Sequence, residues 1–210
     1  MELSRAARLA PRLWRLLEIG CAAALLLAAA PLLLLGALAV WLESGRPIFF
    51  GHPRLGRDGV PFRCWKLRTM EVGAEERLER EPALRQLHRE NGFKLPIDRD
   101  PRITPVGRRL RRSYVDELPQ LYNVLNGTMA LVGPRPIVPE ELACFGSEAA
   151  ELLRVRPGVF GAWTCLGRQR PGYPVRAEVE LAYVRGRSAR TDARILLHSI
   201  PVVLRGQDER

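Results

Sequence analysis

The sequence predicts an α+β protein in two parts. Residues 1–44 are expected to form a re-entrant helical hairpin in a membrane, and residues 45–210 a mainly helical cytoplasmic domain with a small β element. The first part is predicted from residues 19–42, an uncharged run made mostly of Ala and Leu. The second part is predicted because several later segments have the apolar spacing of helices and two short ones have strand-like composition.

The apolar run is long enough to cross a membrane, since a helix rises about 1.5 Å per residue and a bilayer core is about 30 Å thick. The basic residues on its two sides are Arg5, Arg8, Arg12 and Arg15, then Arg46, Arg54, Arg57, Arg63, Lys66 and Arg68. The positive-inside rule favours both ends in the cytoplasm, and Pro31 supplies the break that a hairpin needs. A spanning helix is the alternative, because such helices tolerate proline. The run is too long for a cleaved signal peptide.

The charge indicates an anionic partner. The chain has 33 Lys and Arg against 23 Asp and Glu, a net charge of +10. Nucleic acid, a membrane surface and a phosphorylated substrate all fit this charge, but no nucleic-acid-binding motif is present. The four cysteines and three histidines are scattered, which argues against a zinc site and a disulfide framework and favours a reducing compartment.

Two strands open the second part of the chain. Residues 48–50 form the first predicted strand, residues 51–59 a turn-rich connection, and residues 61–70 an alternating second strand. Since successive side chains of a strand point to opposite faces, Lys66 and Arg68 are expected to share one face.

Helices account for most of the remainder. The clearest covers residues 117–125, with one apolar stripe, Asp116 as its N-cap and Pro119 in its first turn. The other predicted helical segments are residues 74–89 with a break near Pro82, residues 106–112, residues 177–184 and residues 192–204. The last of these has an apolar side that could pack on the core or lie on a membrane.

Two adjacent carboxylates, Asp116 and Glu117, follow a dense run of arginines at the start of the clearest helix. A carboxylate at a helix N-terminus stays ionised and can attack phosphorus, and a second one can hold Mg²⁺. Arg111 would then bind phosphate, and Lys66, Arg68 and Arg135 are expected to join it after folding. The spacing alone supports equally well a helix cap beside a solvated basic face.

Three blocks carry a resemblance to a known family. They are Phe62 to Met70 with Lys66-Leu67-Arg68-Thr69, the long block from Asp100 to Gly127 around Asp116-Glu117-Leu118-Pro119, and Leu131 to Pro136. Together they resemble the bacterial sugar transferases, the monotopic phosphoglycosyl transferases. The match extends from about Arg12 to the C-terminus.

The resemblance implies transfer of a sugar-1-phosphate from a nucleotide diphosphate sugar, such as a UDP-hexose, to a polyprenyl phosphate. It places the reaction at the cytoplasmic face of the bacterial inner membrane, in the initiation of exopolysaccharide or lipopolysaccharide synthesis. It makes Asp116 the nucleophile, Glu117 its dyad partner and Mg²⁺ ligand, and Lys66, Arg111 and Arg135 phosphate-site residues. It also supports the re-entrant helix, and membrane lipid as a partner.

Two departures from the family pattern concern the helix break and a late carboxylate. Ala30-Pro31 stands where the family has Ser-Pro, and Glu180 where it usually has Asp. The sequence leaves the sugar, the nucleotide base and the oligomeric state open, a homodimer included. The alternatives are a membrane-tethered basic module that binds anionic lipid or nucleic acid, and a phosphatase that uses the same aspartate.

Overall fold

The computed structural model describes the backbone of residues 2–91 and 95–206, and the side chains of residues 13–91, 95–167 and 170–206. The α-helices of this part are α1 Glu2–Ser44, α2 Ala74–Arg80, α3 Pro82–Glu90, α4 Pro105–Arg112, α5 Gln120–Leu125, α6 Ala149–Leu152, α7 Val175–Arg185 and α8 Ala189–Arg205. The strands are β1 Phe49–Leu55, β2 Pro61–Leu67, β3 Ala130–Val132 and β4 Gly158–Phe160. Short 3₁₀ helices cover Arg57–Gly59, Val115–Glu117, Pro139–Glu148 and Thr164–Gln169. The predicted mixture of helix and strand is confirmed.

Helix α1 is apolar, and its stretch Leu13–Ser44 is long enough to cross a membrane by length and composition. It is helical without interruption through Pro31, where the sequence predicted the break. One missing hydrogen bond does not end a helix whose neighbouring Ala and Leu residues form helices readily. The hairpin therefore stays a prediction. The side chains of Arg5, Arg8 and Arg12, on which that prediction also depends, lie outside the described residues.

Both halves of α1 pack against the rest of the chain. Ala22, fully buried, joins a core cluster with Leu121 and Val124 of α5. Val40, 1% exposed, joins a second cluster with Leu67 and Val115. The opposite side of α1 exposes a row of large apolar side chains: Leu13, Leu16, Leu17, Leu25, Leu27, Leu32, Leu34, Leu35, Leu38, Trp41 and Leu42.

Strands β1 and β2 form an antiparallel hairpin whose register runs from Phe49 opposite Leu67 to Leu55 opposite Pro61. Strand β1 is therefore longer than predicted, and the turn is confined to residues 57–59. Pairing with β2 overrides the turn signal of Gly51, whose Cα lies against the Arg63 and Trp65 side chains so closely that a Cβ would meet them at 3.1 Å.

The predicted helices are confirmed except for the start of α5. Asp116 lies within the 3₁₀ helix Val115–Glu117, and its side chain caps no helix. The amides of Glu117 and Leu118 already bind the carbonyls of Tyr114 and Val115, so the chain turns before it reaches Asp116. The prediction that Asp116 is an N-cap is wrong, and α5 begins only at Gln120.

Strands β3 and β4 form a parallel pair, Ala130 opposite Gly158 and Val132 opposite Phe160. The pair continues into a close approach of Gly133 and Gly158, where a Cβ on Gly158 would meet the Gly133 amide at 2.0 Å. This contact fixes the start of the segment Pro134 to Pro136 beside the hairpin.

Candidate active site

An open cavity of about 460 Å³ lies between the β1–β2 hairpin, the start of α5, the segment after β3 and strand β4. The side chains and backbone that line it come from His52, Arg54, Cys64, Lys66, Glu117, Gln120, Arg135, Pro136, Gly158, Val159 and Thr164. Three of these residues are cationic and one is a carboxylate. The cavity has the charges that a phosphorylated small molecule requires.

Asp116 is the buried carboxylate of the site. It is 5% exposed, and its Oδ1 has no hydrogen-bond partner among the described residues. Burial and the charge of Glu117 raise the pKa of Asp116 to about 6, although Arg111 and Lys66 oppose this rise. Asp116 is therefore mostly ionised at pH 7 and has an oxygen that nothing in the fold uses.

Lys66 and Arg111 place positive charge next to Asp116. Lys66 is half-buried, and burial together with Arg111 lowers its pKa to about 8. The Arg111 guanidinium is held by its Nε, which donates to Thr69 Oγ1 at 2.8 Å. Lys66 and Glu117 line the cavity, whereas Asp116 and Arg111 are not among its lining residues. The structure still brings the four predicted site residues together, since their charges act on one another.

Arg135 reaches the cavity from a rigid segment between two prolines. Because Pro134 and Pro136 have no N–H, the Arg135 amide is the one main-chain donor of the three residues. It donates to Glu180 Oε1 at 3.1 Å, and the Pro136 carbonyl accepts from Arg54 Nη1 at 3.2 Å. Glu180 is 1% exposed, and burial raises its pKa to about 7. Its contact with Arg135 gives a structural role to the carboxylate that departs from the family pattern.

Arg68 does not join the cavity. It follows the last residue of β2, so the alternation that predicted a shared face with Lys66 has ended. Its guanidinium instead donates to the carbonyls of Ser44, Gly45 and Pro47 at 2.9, 2.9 and 2.6 Å, at the end of α1.

Several residues of the cavity were missed by sequence reasoning. His52 and Arg54 lie in the segment that was predicted as a turn. Only when β1 is extended through this segment does the strand pattern place both side chains at the cavity. Gln120 lies at the start of α5. Behind Arg54, the buried carboxylate of Glu141 binds Arg176 at 2.6 Å and Arg54 at 3.4 Å, which holds the charge of Arg54 near the cavity.

The dyad has the donor set that Mg²⁺ uses. Among the described residues there is no group of three or more His, Cys, Asp or Glu side chains placed to hold a metal ion. Mg²⁺, however, is usually bound by one or two carboxylates together with substrate phosphates and water. The Glu117 carboxylate, which lines the cavity next to the buried Asp116, fits that requirement.

The comparisons with known proteins show which family the chain belongs to. The model of the family described as bacterial sugar transferase matches residues 10–206. The undecaprenyl-phosphate galactose phosphotransferase of Salmonella typhimurium is 39% identical over 197 residues, which is 91% of this chain but only 40% of that protein. The exopolysaccharide production protein ExoY of Rhizobium meliloti is 38% identical over 190 residues, 90% of this chain and 84% of that protein.

A third relative is the UDP-glucose:undecaprenyl-phosphate glucose-1-phosphate transferase of Caulobacter vibrioides, 37% identical over 198 residues, 90% of this chain and 69% of that protein. The chain thus spans less than half of the Salmonella protein and most of ExoY. Since the family model and these relatives each cover nearly the whole chain, the chain belongs to the bacterial sugar transferase family.

Proposed function

We propose that this protein transfers a hexose-1-phosphate from a UDP-hexose to a polyprenyl phosphate, through a covalent intermediate on Asp116, and so starts the synthesis of a surface polysaccharide. The observation that carries the proposal is the buried, unpartnered Oδ1 of Asp116 beside Lys66 and Arg111. The substrates are inferred from the names of the relatives, which act on UDP-glucose, galactose or undecaprenyl phosphate.

In the first step, Asp116 Oδ1 attacks the phosphorus that carries the sugar. The bond from this phosphorus to the bridging oxygen breaks, and UMP leaves with the electron pair. The product is an acyl phosphate between Asp116 and the sugar. The negative phosphate oxygens would repel the attacking carboxylate. Binding of these oxygens by Lys66, Arg111 and Arg135 neutralises that charge.

In the second step, an oxygen of the lipid phosphate attacks the same phosphorus. The bond to Asp116 breaks, and the carboxylate returns to its ionised form. When bound by Glu117 and Asp116, Mg²⁺ would neutralise part of the diphosphate charge. Because UMP leaves before the lipid phosphate reacts, one cavity can serve a soluble donor and a membrane-embedded acceptor in turn.

The contacts of α1 support a position in which both of its ends lie on one side of the membrane. At its N-terminal side, Arg15 Nη1 donates to the Met129 carbonyl at 3.3 Å, and Glu18 Oε1 accepts from the Leu131 amide at 3.2 Å. At its C-terminal side, Glu43 Oε1 accepts from the Val106 amide at 2.8 Å.

A helix that spanned the bilayer would carry one of these ends about 30 Å away from the domain. Both ends bind it instead, so we infer that they lie on one side, the cytoplasmic face of the inner membrane, with the exposed leucines in lipid. The exposed apolar end of α8, at Leu197, Ile200 and Leu204, adds further lipid contact. A reporter fused to the N-terminus tests this topology, and its appearance outside the inner membrane would contradict it.

The reaction is tested with Asp116→Asn in membranes that contain Mg²⁺. Wild-type protein incubated with UDP-galactose or UDP-glucose, without acceptor, should release UMP and gain the mass of one hexose phosphate. The variant should release UMP at least roughly 10³-fold more slowly, since the nucleophile is gone. Asp98→Asn, a change of an exposed aspartate outside the cavity, is the matched control.

Persistent turnover of Asp116→Asn would remove Asp116 as the nucleophile. Addition of polyprenyl phosphate should move the label from the protein to lipid. Release of free hexose phosphate in place of labelled lipid would show a phosphatase.

A further inference from the structure

His52 and Glu75 form a polar pair at the edge of the cavity that the transfer steps do not use. His52 lies in β1 and lines the cavity, and Glu75 lies in the first turn of α2. His52 Nε2 and Glu75 Oε1 are 3.9 Å apart, which is beyond a hydrogen bond.

Both of these atoms are hydrogen-bond acceptors. His52 Nδ1 lies 2.9 Å from the carbonyl of Pro53, which can only accept, so Nδ1 carries the proton. Burial and the charges of Arg54 and Lys66 lower the pKa of His52 to about 4, so the ring is neutral at pH 7. Nε2 is then an acceptor that faces the carboxylate acceptor of Glu75. Two acceptors cannot satisfy each other, but two neighbouring hydroxyl groups can donate one hydrogen to each.

The rest of the cavity has the opposite character. Arg54, Lys66 and Arg135 are donors only, and phosphate oxygens are acceptors only. The cavity therefore has one region suited to phosphate and an edge suited to hydroxyl groups. A sugar phosphate has both kinds of group.

The register of the hairpin gives the distance between the two regions. Phe50 pairs with Lys66 and His52 with Cys64, so His52 and Lys66 lie on the same face, two residues apart along the strands. That separation is about 7 Å. Because the charges of Lys66 and Asp116 act on each other, we expect His52 to lie about one sugar ring from the phosphorus that Asp116 attacks.

We propose that His52 and Glu75 bind two adjacent hydroxyl groups of the transferred hexose and so contribute to the choice of sugar. This inference depends on the proposed function, because the sugar must lie next to the attacked phosphorus. The ligand class is a neutral hexose with a free vicinal diol at this edge.

The test combines changes in the protein with changes in the donor. UMP release is measured with excess polyprenyl phosphate as the acceptor, for the parent UDP-hexose and for donors that each lack one ring hydroxyl. The protein is the full chain in membranes, as wild type, His52→Ala or Glu75→Gln. Glu79→Gln, an exposed position one turn further along the same helix, is the control.

For wild type, the loss of the recognised hydroxyl should lower kcat/KM by about 10-fold, the usual size of one such hydrogen bond. His52→Ala or Glu75→Gln should lower kcat/KM for the parent donor by a similar factor. The matching deoxy donor should then cause no further loss, because the bond is already absent. Glu79→Gln should behave as wild type.

An equal loss on every donor, or no loss at all, would overturn the inference, since His52 and Glu75 would then act on the nucleotide or on nothing. In either case wild-type turnover would leave the proposed function standing. If wild type released UMP from no donor, the proposed function would fail, and this inference with it.

Discussion

Arg68 offers a sharp test of the difference between a phosphate-binding residue and one that holds α1. It is 5% exposed and donates to the carbonyls of Ser44, Gly45, Pro47 and Met70. Substitution Arg68→Met keeps most of the apolar length of the side chain and removes these donors. The acceptors at residues 44–47 are partly exposed, so water can replace some of the lost bonds.

We therefore expect Arg68→Met to lower the free energy of unfolding by about 3 kcal/mol, close to the cost of one fully unsatisfied buried acceptor. For a domain of this size, that corresponds to a fall of roughly 6–12 °C in the apparent Tm. Thermal unfolding in nanodiscs at one fixed scan rate measures this fall in Tm. Substitution of the exposed Arg63 on β2, Arg63→Met, is the control. An unchanged Tm together with a raised KM for the donor would refute the structural role and restore Arg68 as a phosphate ligand.

Three further outcomes follow from the charges of the site. The kcat/KM of UMP release should rise with pH through about 6, where Asp116 ionises, and fall through about 8, where Lys66 loses its proton. A pH profile that is flat from 5 to 9 would contradict both assignments. Glu180→Gln keeps an acceptor for the Arg135 amide and should retain most activity, whereas Glu180→Leu removes the acceptor and should lower kcat/KM by about 10-fold. Equal activities of the two variants would show that Glu180 does not position Arg135. Chelation of divalent cations should stop UMP release and added Mg²⁺ should restore it, which checks the role proposed for Glu117 as a metal ligand; release that persists in chelator would exclude that role.

The charged residues that the structure brings together around Asp116 could be predicted because they belong to a few short stretches of the sequence. Asp116, Glu117 and Arg111 lie within seven consecutive residues, and Lys66 and Arg135 belong to short distinctive blocks. The long apolar helix α1 was predictable for the same reason, since its apolar run is continuous.

The contacts between distant segments could not be predicted. Arg68 was misplaced because period-2 alternation holds only inside a strand, and β2 ends one residue earlier. His52 was missed because Gly51 and Pro53 signal a turn locally, while pairing with β2 extends the strand. Glu75 approaches His52 from a separate helix, a contact that no local pattern encodes.

The two glycines of α1 provide a final prediction on how the membrane helix supports the active site. A Cβ on Gly36 would lie 2.9 Å from Leu67 Cδ1 and 3.2 Å from Val115 Cγ1, whereas a Cβ on Gly20 would meet nothing within 4 Å. Gly36→Leu and Gly20→Leu add the same apolar side chain to α1, but Gly36 is buried against the domain and Gly20 is exposed.

Only Gly36→Leu should affect the chemistry. Its side chain must push α1 away from Val115, the residue before Asp116, and overpacking of this kind costs about 1–3 kcal/mol. A displacement of Asp116 by about 1 Å can lower a rate by about 100-fold, so UMP release without acceptor should fall by roughly 10- to 100-fold. Gly20→Leu should release UMP at the wild-type rate. If both variants were equally active, the packing of α1 against the domain would serve only to attach the protein to the membrane. The position of Asp116 would then be set by residues 45–206 alone.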